Sequence, residues 1–114
     1  MKDQNPVSDE EVMRKYLEKI QNIPLLFPDE EADLARLASE GDKDAQIKLV
    51  EANLVLVTFI AKEYIRDKFS FLDIVQKGNI GLLNAVELYN PAESGNFTQY
   101  VIKWIKKEIE RTNL

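Results

Sequence analysis

Between Asp42 and Asp67 the chain sets Val50, Leu54, Val57, Ala61 and Tyr64 three or four residues apart, and Leu49, Leu56, Phe59 and Ile60 widen that stripe. An α-helix turns by about 100° per residue, so this spacing gathers the apolar side chains along one side of a helix. The stripe is too broad for a helix with a single buried edge. It predicts a long central helix, capped by Asp42 and running to about Asp67, covered on more than one side. Asn53 falls inside it, where a buried amide requires a partner; a bond to backbone is the plain expectation.

The remaining segments are helical in pattern as well. Ser8 followed by Glu11 has capping-box spacing, ahead of a helix over 9–21 with Val12, Tyr16, Leu17 and Ile20 on one face. Pro28 suits a first helical position, and Asp29, Glu30 and Glu31 suit the positive end of a helix that stops at Gly41. Ser70 and Asp73 form a second capping pattern, predicting a short helix to Lys77 that Gly78 stops. Another helix is expected from Asn79 to Tyr89, then a loop over 90–96, then a last helix capped by Thr98, with Phe97 and Ile102 spaced as a hydrophobic staple. Period-two alternation is missing throughout, so the expected fold class is all-α, a compact domain of about six helices.

Composition narrows the function. A chain of 114 residues, 45% hydrophobic, can bury one modest core. No stretch approaches the roughly 20 apolar residues of a membrane span, and the start, MKDQNPVSDEE, has no apolar signal core; a cytoplasmic protein with no membrane partner is the default expectation. Histidine and cysteine are both absent, which removes the usual zinc sites, Ser-His-Asp triads and Cys-His dyads. Glycine-rich phosphate loops are missing too. Carboxylate pairs such as Glu30 with Glu31, or Glu108 with Glu110, are adjacent or two apart, so on a helix they do not face each other. The chain reads as a non-enzyme with no cofactor and no metal.

The net charge of −5 argues against a general nucleic-acid binder, but the charge is uneven. Residues 97–114 hold four cations and two carboxylates, a net of +2, which leaves 11 cations and 18 carboxylates, a net of −7, in residues 1–96. On the last helix Val101, Ile102, Ile105 and Ile109 share one side. Tyr100, Trp104, Lys107 and Arg111 share nearly the opposite side, with Lys103 beside them. Cations attract phosphates, and flat rings stack on bases that have left a duplex. A solvated amphipathic face with two aromatics at its edges explains the same pattern, and spacing alone does not separate the two readings.

The stretches Leu49-Val50-Glu51-Ala52-Asn53-Leu54, Ile60-Ala61-Lys62, Phe71-Leu72-Asp73-Ile74-Val75-Gln76-Lys77-Gly78-Asn79-Ile80-Gly81-Leu82 and Ala85-Val86 closely resemble the primary-type bacterial sigma factors of the sigma-70 family. Phe97 to Ile105 resembles that family's FSTYATWWI segment, and Tyr16-Leu17, Pro24-Leu25-Leu26 and Glu30-Glu31 resemble the stretch preceding its core domain. The resemblance implies a polar tail over 1–8, a helical segment like region 1.2 over 9–41, and a continuous region 2 domain over 42–114. It implies a transcription-initiation module that binds core RNA polymerase and recognises and melts the promoter −10 element. Asp73, Gln76, Lys77 and Asn79, with Leu83 at the margin, would dock on a coiled coil of the largest polymerase subunits. Phe97, Tyr100, Lys103, Trp104, Lys107 and Arg111 would meet promoter DNA, mainly the non-template strand; by position Tyr100 would stack a flipped adenine. An anti-sigma factor is a further candidate partner.

The sequence departs from the family's pattern at defined places. Lys103 stands where the family has the first tryptophan of a pair, and Lys107 and Glu110 replace a Gln and a Thr that read bases. Val55 replaces an arginine, Lys77 replaces a docking glutamate, and the loop Pro91 to Asn96 lacks its usual basic residues. An alternative therefore stands beside the first reading: a sigma-like protein that docks on polymerase as a regulator without efficient melting.

Overall fold

The structure is a computed structural model that describes residues 8–65 and 69–113. Six helices follow one another: α1 Asp9–Ile20, α2 Pro28–Ser39, α3 Lys43–Ala52, α4 Leu54–Lys62, α5 Phe71–Leu88 and α6 Phe97–Asn113. The all-α expectation holds across the described elements. Among them no helix is long and apolar enough to cross a membrane. Except for Ser8, the tail expected at 1–8 lies outside the described residues.

Three of the six helix starts follow the side-chain caps written in the sequence. Ser8 Oγ accepts from Glu11 N–H at 3.2 Å, and Asp42 Oδ1 accepts from Ala45 N–H at 3.0 Å. At α5 the capping is reciprocal: Ser70 Oγ accepts from Asp73 N–H at 3.2 Å, and the Asp73 carboxylate accepts from Ser70 N–H at 3.4 Å. Gly41, with φ of 96°, ends α2 in a conformation that a side chain would strain.

Three sequence expectations are corrected. The long central helix is two helices. Asn53 Nδ2 donates to Leu49 O at 2.7 Å, while Asn53 N–H turns to Val50 O at 3.1 Å. The side chain thus takes the carbonyl that the next helical turn would use, and the backbone breaks at φ −109°, ψ 6°. The amide is bonded to backbone as expected, but at the cost of helix continuity. The second half ends at Lys62, and the expected end at Asp67 lies outside the described residues.

Gly78, expected to stop a short helix, instead lies buried inside a continuous α5. A Cβ there would fall 2.7 Å from Val57 Cγ1; one at Gly81 would fall 2.6 Å from Trp104 O and 2.9 Å from Ile105 Cα. These glycines are packing surfaces, not breaks. They let α5 touch α4 and, with no side chain between, the backbone of α6. Gly78 faces Ile105 and Ile109, and Gly81 faces Trp104 and Ile105, so α5 and α6 run antiparallel.

The third correction concerns α6. Its cap is Asn96, whose Oδ1 accepts from Gln99 N–H at 2.9 Å; Thr98 is already helical and its hydroxyl donates to Glu31 Oε1 at 2.9 Å. Phe97 is the first helical residue, and its ring meets Tyr89 edge-on at 5.0 Å.

The core runs through α2 to α6: Ala35 and Ala38 of α2, Leu49 of α3, Val57, Ile60 and Ala61 of α4, Phe71, Ile74, Val75, Leu82, Ala85 and Val86 of α5, and Val101, Ile105 and Ile109 of α6. Tyr16 of α1 closes one end, its ring 6.0 Å from Phe71. Tyr89 closes the other, where its hydroxyl donates to Gly95 O across the 90–96 loop. Burial, and then the charge of Glu31, raise the Tyr89 phenol above its ordinary value of 10.0.

Gly81→Ala should lower stability by about 1–3 kcal/mol in urea unfolding, although alanine is the better helix former, because the added methyl meets backbone that has no rotamer to change. For Tyr89 the sign follows from the raised value: the neutral phenol is the folded form, so its contribution is complete below pH 10 and is lost as pH rises through the raised value. The stability advantage of the wild type over Tyr89→Phe should therefore be flat from neutral pH to about 9 and shrink at more alkaline pH.

Candidate nucleic-acid interface

The face that α6 turns away from the core is set by its own spacing. Val101, Ile105 and Ile109 are fully buried against α5, so Tyr100 and Trp104 come to rest half-buried and Lys103, Lys107 and Arg111 point outward. The rings form a stepped series that begins in the core. Phe97 meets Tyr89, Tyr89 meets Tyr100 at 5.4 Å, and Tyr100 meets Trp104 at 6.3 Å. Lys107 Nζ lies 5.7 Å from the centre of the Trp104 ring, close enough for a cation–π attraction.

Two shallow depressions open on this face. One, of about 490 Å³, is lined by Tyr100, Lys103, Trp104 and Lys107, with Glu93 and Ser94 of the 90–96 loop as its wall. The other, of about 510 Å³, is lined by Lys103, Lys106, Lys107, Glu110 and Arg111. Lys103 and Lys107 belong to both, so aromatic edges and cations share one continuous surface. That surface can hold a flat ring beside a phosphate.

The expected DNA-facing residues are not equivalent in place. Phe97 is 5% exposed and lies beneath the surface, against Tyr89. Arg111 is hydrogen-bonded to Glu108, which holds its guanidinium above the ordinary value and gives any phosphate a competitor. Glu110 accepts from the Tyr64 hydroxyl at 2.6 Å, which ties it to the end of α4. Lys106 joins the cationic depression although the sequence reading left it out; its place next to Lys107 was the available signal.

A second outward face runs along α5. Asp73, Gln76 and Leu83 are exposed, and Lys77 and Asn79 are half-buried. Asp73 is engaged in the helix cap. Asn79 Nδ2 donates to the Tyr16 hydroxyl of α1 at 3.5 Å, and its Oδ1 is buried without a hydrogen-bond partner among the described residues. Leu72 and Ile80, 43% and 47% exposed, lie on the same face and were not among the expected residues. Spacing of three and four residues through Leu72, Gln76, Ile80 and Leu83 could have found them.

Thr98 and Glu31 join the start of α6 to the start of α2, and Tyr16 and Asn79 join α1 to α5. The N-terminal helices therefore reach both outward faces through side-chain bonds.

The Sigma-70 region 2 family model matches residues 49–112, and the model of the Sigma-70 factor region 1.2 matches residues 11–44. The chain is 43% identical over 105 residues to the RNA polymerase sigma factor SigA of Clostridium acetobutylicum, covering 92% of this chain and 28% of that protein. It is 42% identical over 99 residues to SigA of a Bacillus species, covering 87% of this chain and 26% of that one. It is also 42% identical over 96 residues to the sigma factor RpoS of Coxiella burnetii, covering 84% and 27%. The chain thus spans little more than a quarter of the length of these relatives. Two adjoining family regions, matched in order over helices that pack into one core, lead to one conclusion: the chain belongs to the sigma-70 family of RNA polymerase sigma factors and carries its regions 1.2 and 2.

Proposed function

We propose that this chain acts in transcription initiation by docking on core RNA polymerase through the outer face of α5 and capturing the non-template strand of a promoter −10 element on α6. The observation that carries the reading is the aromatic–cationic surface of α6. Tyr100 and Trp104 are half-exposed over a depression that Lys103 and Lys107 also line.

No catalytic group is needed. Unstacking a base step costs a few kcal/mol, and stacking a freed base on an aromatic returns about 1–3 kcal/mol. Holding the unstacked strand therefore shifts the duplex toward the open form, with polymerase supplying the rest of the binding energy. Lys103 and Lys107 take the phosphates. Phe97 supports Tyr89 and Tyr100 from below and does not touch a base. On α5, Asp73, Gln76, Lys77, Asn79 and Leu83 meet a coiled coil of the largest polymerase subunits, and Leu72 and Ile80 extend the contact. Residues 9–41 serve the DNA next to the element, and residues 42–114 form the docking and melting domain.

Two observations favour a second reading, a polymerase-docking regulator that melts poorly. Arg111 is occupied by Glu108, and Lys103 stands where the family pattern has a tryptophan.

A fluorescently labelled −10 strand titrated with the polymerase-bound chain separates the functions. Tyr100→Ala and Trp104→Ala should each weaken strand capture about tenfold or more and leave polymerase docking unchanged. Gln76→Ala should weaken docking to core polymerase and leave strand capture by the bound fraction intact. Normal strand capture by the polymerase-bound chain would eliminate the second reading; weak capture that neither aromatic variant lowers further would decide for it. Lys107→Ala should weaken strand binding and lower its logarithmic salt dependence by about one phosphate contact, while a salt dependence equal to the wild type would remove Lys107 from the interface.

A further inference from the structure

Away from α6, helices α3 and α5 enclose an apolar groove of about 310 Å³ lined by Gln46, Ile47, Val50, Glu51, Leu83, Val86 and Glu87. Each helix builds its wall with the same spacing. Ile47, Val50 and Glu51 on α3 repeat as Leu83, Val86 and Glu87 on α5, two aliphatic residues and then a glutamate at i, i+3 and i+4. That spacing places all three on one side of a helix. Both walls therefore present an aliphatic pair toward the groove and a carboxylate at its rim.

The floor is continuous with the core, since Val86 is buried and Val50 half-buried. The lips are not: Ile47 is 55% and Leu83 52% exposed. Single exposed aliphatic residues need no explanation, but two that line one depression with a shared apolar floor mark an interaction surface. The rim carries the charge. Glu51 and Glu87 are both exposed, one on each helix, and among the described residues no cation lines the groove. The groove is also continuous at Leu83 with the outer face of α5.

We propose that the α3–α5 groove is a docking site for a cationic amphipathic helix of a partner protein. One large apolar side chain of that helix would fill the space between Ile47 and Leu83, and Lys or Arg residues a turn away on either side would meet Glu51 and Glu87. This is helix-in-groove recognition, in which apolar anchors supply the affinity and flanking charges set orientation and exclude acidic competitors. The site is separate from the α6 surface and needs no DNA.

The test uses the full chain and two designed helical peptides with the same leucine face. One carries Lys and Arg around that face; the other carries glutamate at those positions. The cationic peptide should bind saturably in fluorescence anisotropy, and the acidic one should not. Glu51→Lys combined with Glu87→Lys should weaken the cationic peptide about tenfold or more, as should Ile47→Asp at the exposed lip. Reversing two carboxylates elsewhere, Glu10→Lys with Asp33→Lys, changes the net charge equally and should leave binding nearly unchanged. Equal weakening by the two double reversals would show a non-specific charge effect and overturn the proposal, as would failure of the cationic peptide to bind. Gln76→Ala, the docking variant for polymerase, should leave peptide binding unaltered; a loss there would move the peptide to the outer face of α5 and sink the groove assignment. Sedimentation at rising concentration closes the test: self-association abolished by Ile47→Asp would assign the groove to a second copy of the chain instead.

Discussion

Everything else in this domain is arranged around the contact of α5 with α6 at Gly81. The position has no side chain, and the backbone of Trp104 and Ile105 occupies the space where one would be. Gly78, one turn earlier, does the same for Val57 and the ends of Ile105 and Ile109. Close approach over two turns brings Val101, Ile105 and Ile109 fully into the core. Interiors pack at crystal-like density, so helices seated this tightly have few ways to rotate. Once α6 is fixed in register, Tyr100 and Trp104 can only emerge at its flanks, and Lys103 and Lys107 only outside.

The same contact decides what α5 can offer. With Ile74, Val75, Gly78, Leu82 and Ala85 spent inward, Leu72, Gln76, Ile80 and Leu83 are left to face outward. The two surfaces to which we assign separate partners are thus the outer sides of two helices that share one inner seam. A change at the seam disturbs both; a change on either outer face need not reach the other.

Charge adds a second level of organisation. The aromatic surface carries four of the cations of a chain whose net charge is −5, and two carboxylates beside them are hydrogen-bonded within the molecule: Glu108 accepts from Arg111 and Glu110 from Tyr64. At the start of the helix Glu31 accepts from Thr98, which leaves α2 joined to α6. Lys103, Lys106 and Lys107 outnumber Glu93 and Glu110 among the charges that line the two depressions. The acidic rim of the α3–α5 groove lies on other helices, so one small domain presents cationic and anionic surfaces at distinct sites.

Much of this is local and was therefore legible in the sequence. Helical periodicity fixed the fold class, side-chain caps fixed the starts of α1, α3 and α5, and the 100° rotation separated the buried from the outward side of α6. What could not be read were events whose second partner lies far along the chain, or whose outcome is a competition. Gly78 reads as a stop because glycine is a poor helix former; only Val57 and α6 make it a contact. Thr98 reads as a cap, but Glu31, 67 residues away, takes its hydroxyl and leaves the cap to Asn96. Asn53 declares a backbone bond without declaring that the bond will divide the helix. The groove between α3 and α5 has its two halves written plainly, as Ile47-Val50-Glu51 and Leu83-Val86-Glu87, but nothing in the order of residues says that they face each other. Sequence determined which side of each helix is apolar, because that is a property of one turn and the next; tertiary structure decided which apolar sides are consumed by one another and which are left open, because that depends on how closely two backbones can approach.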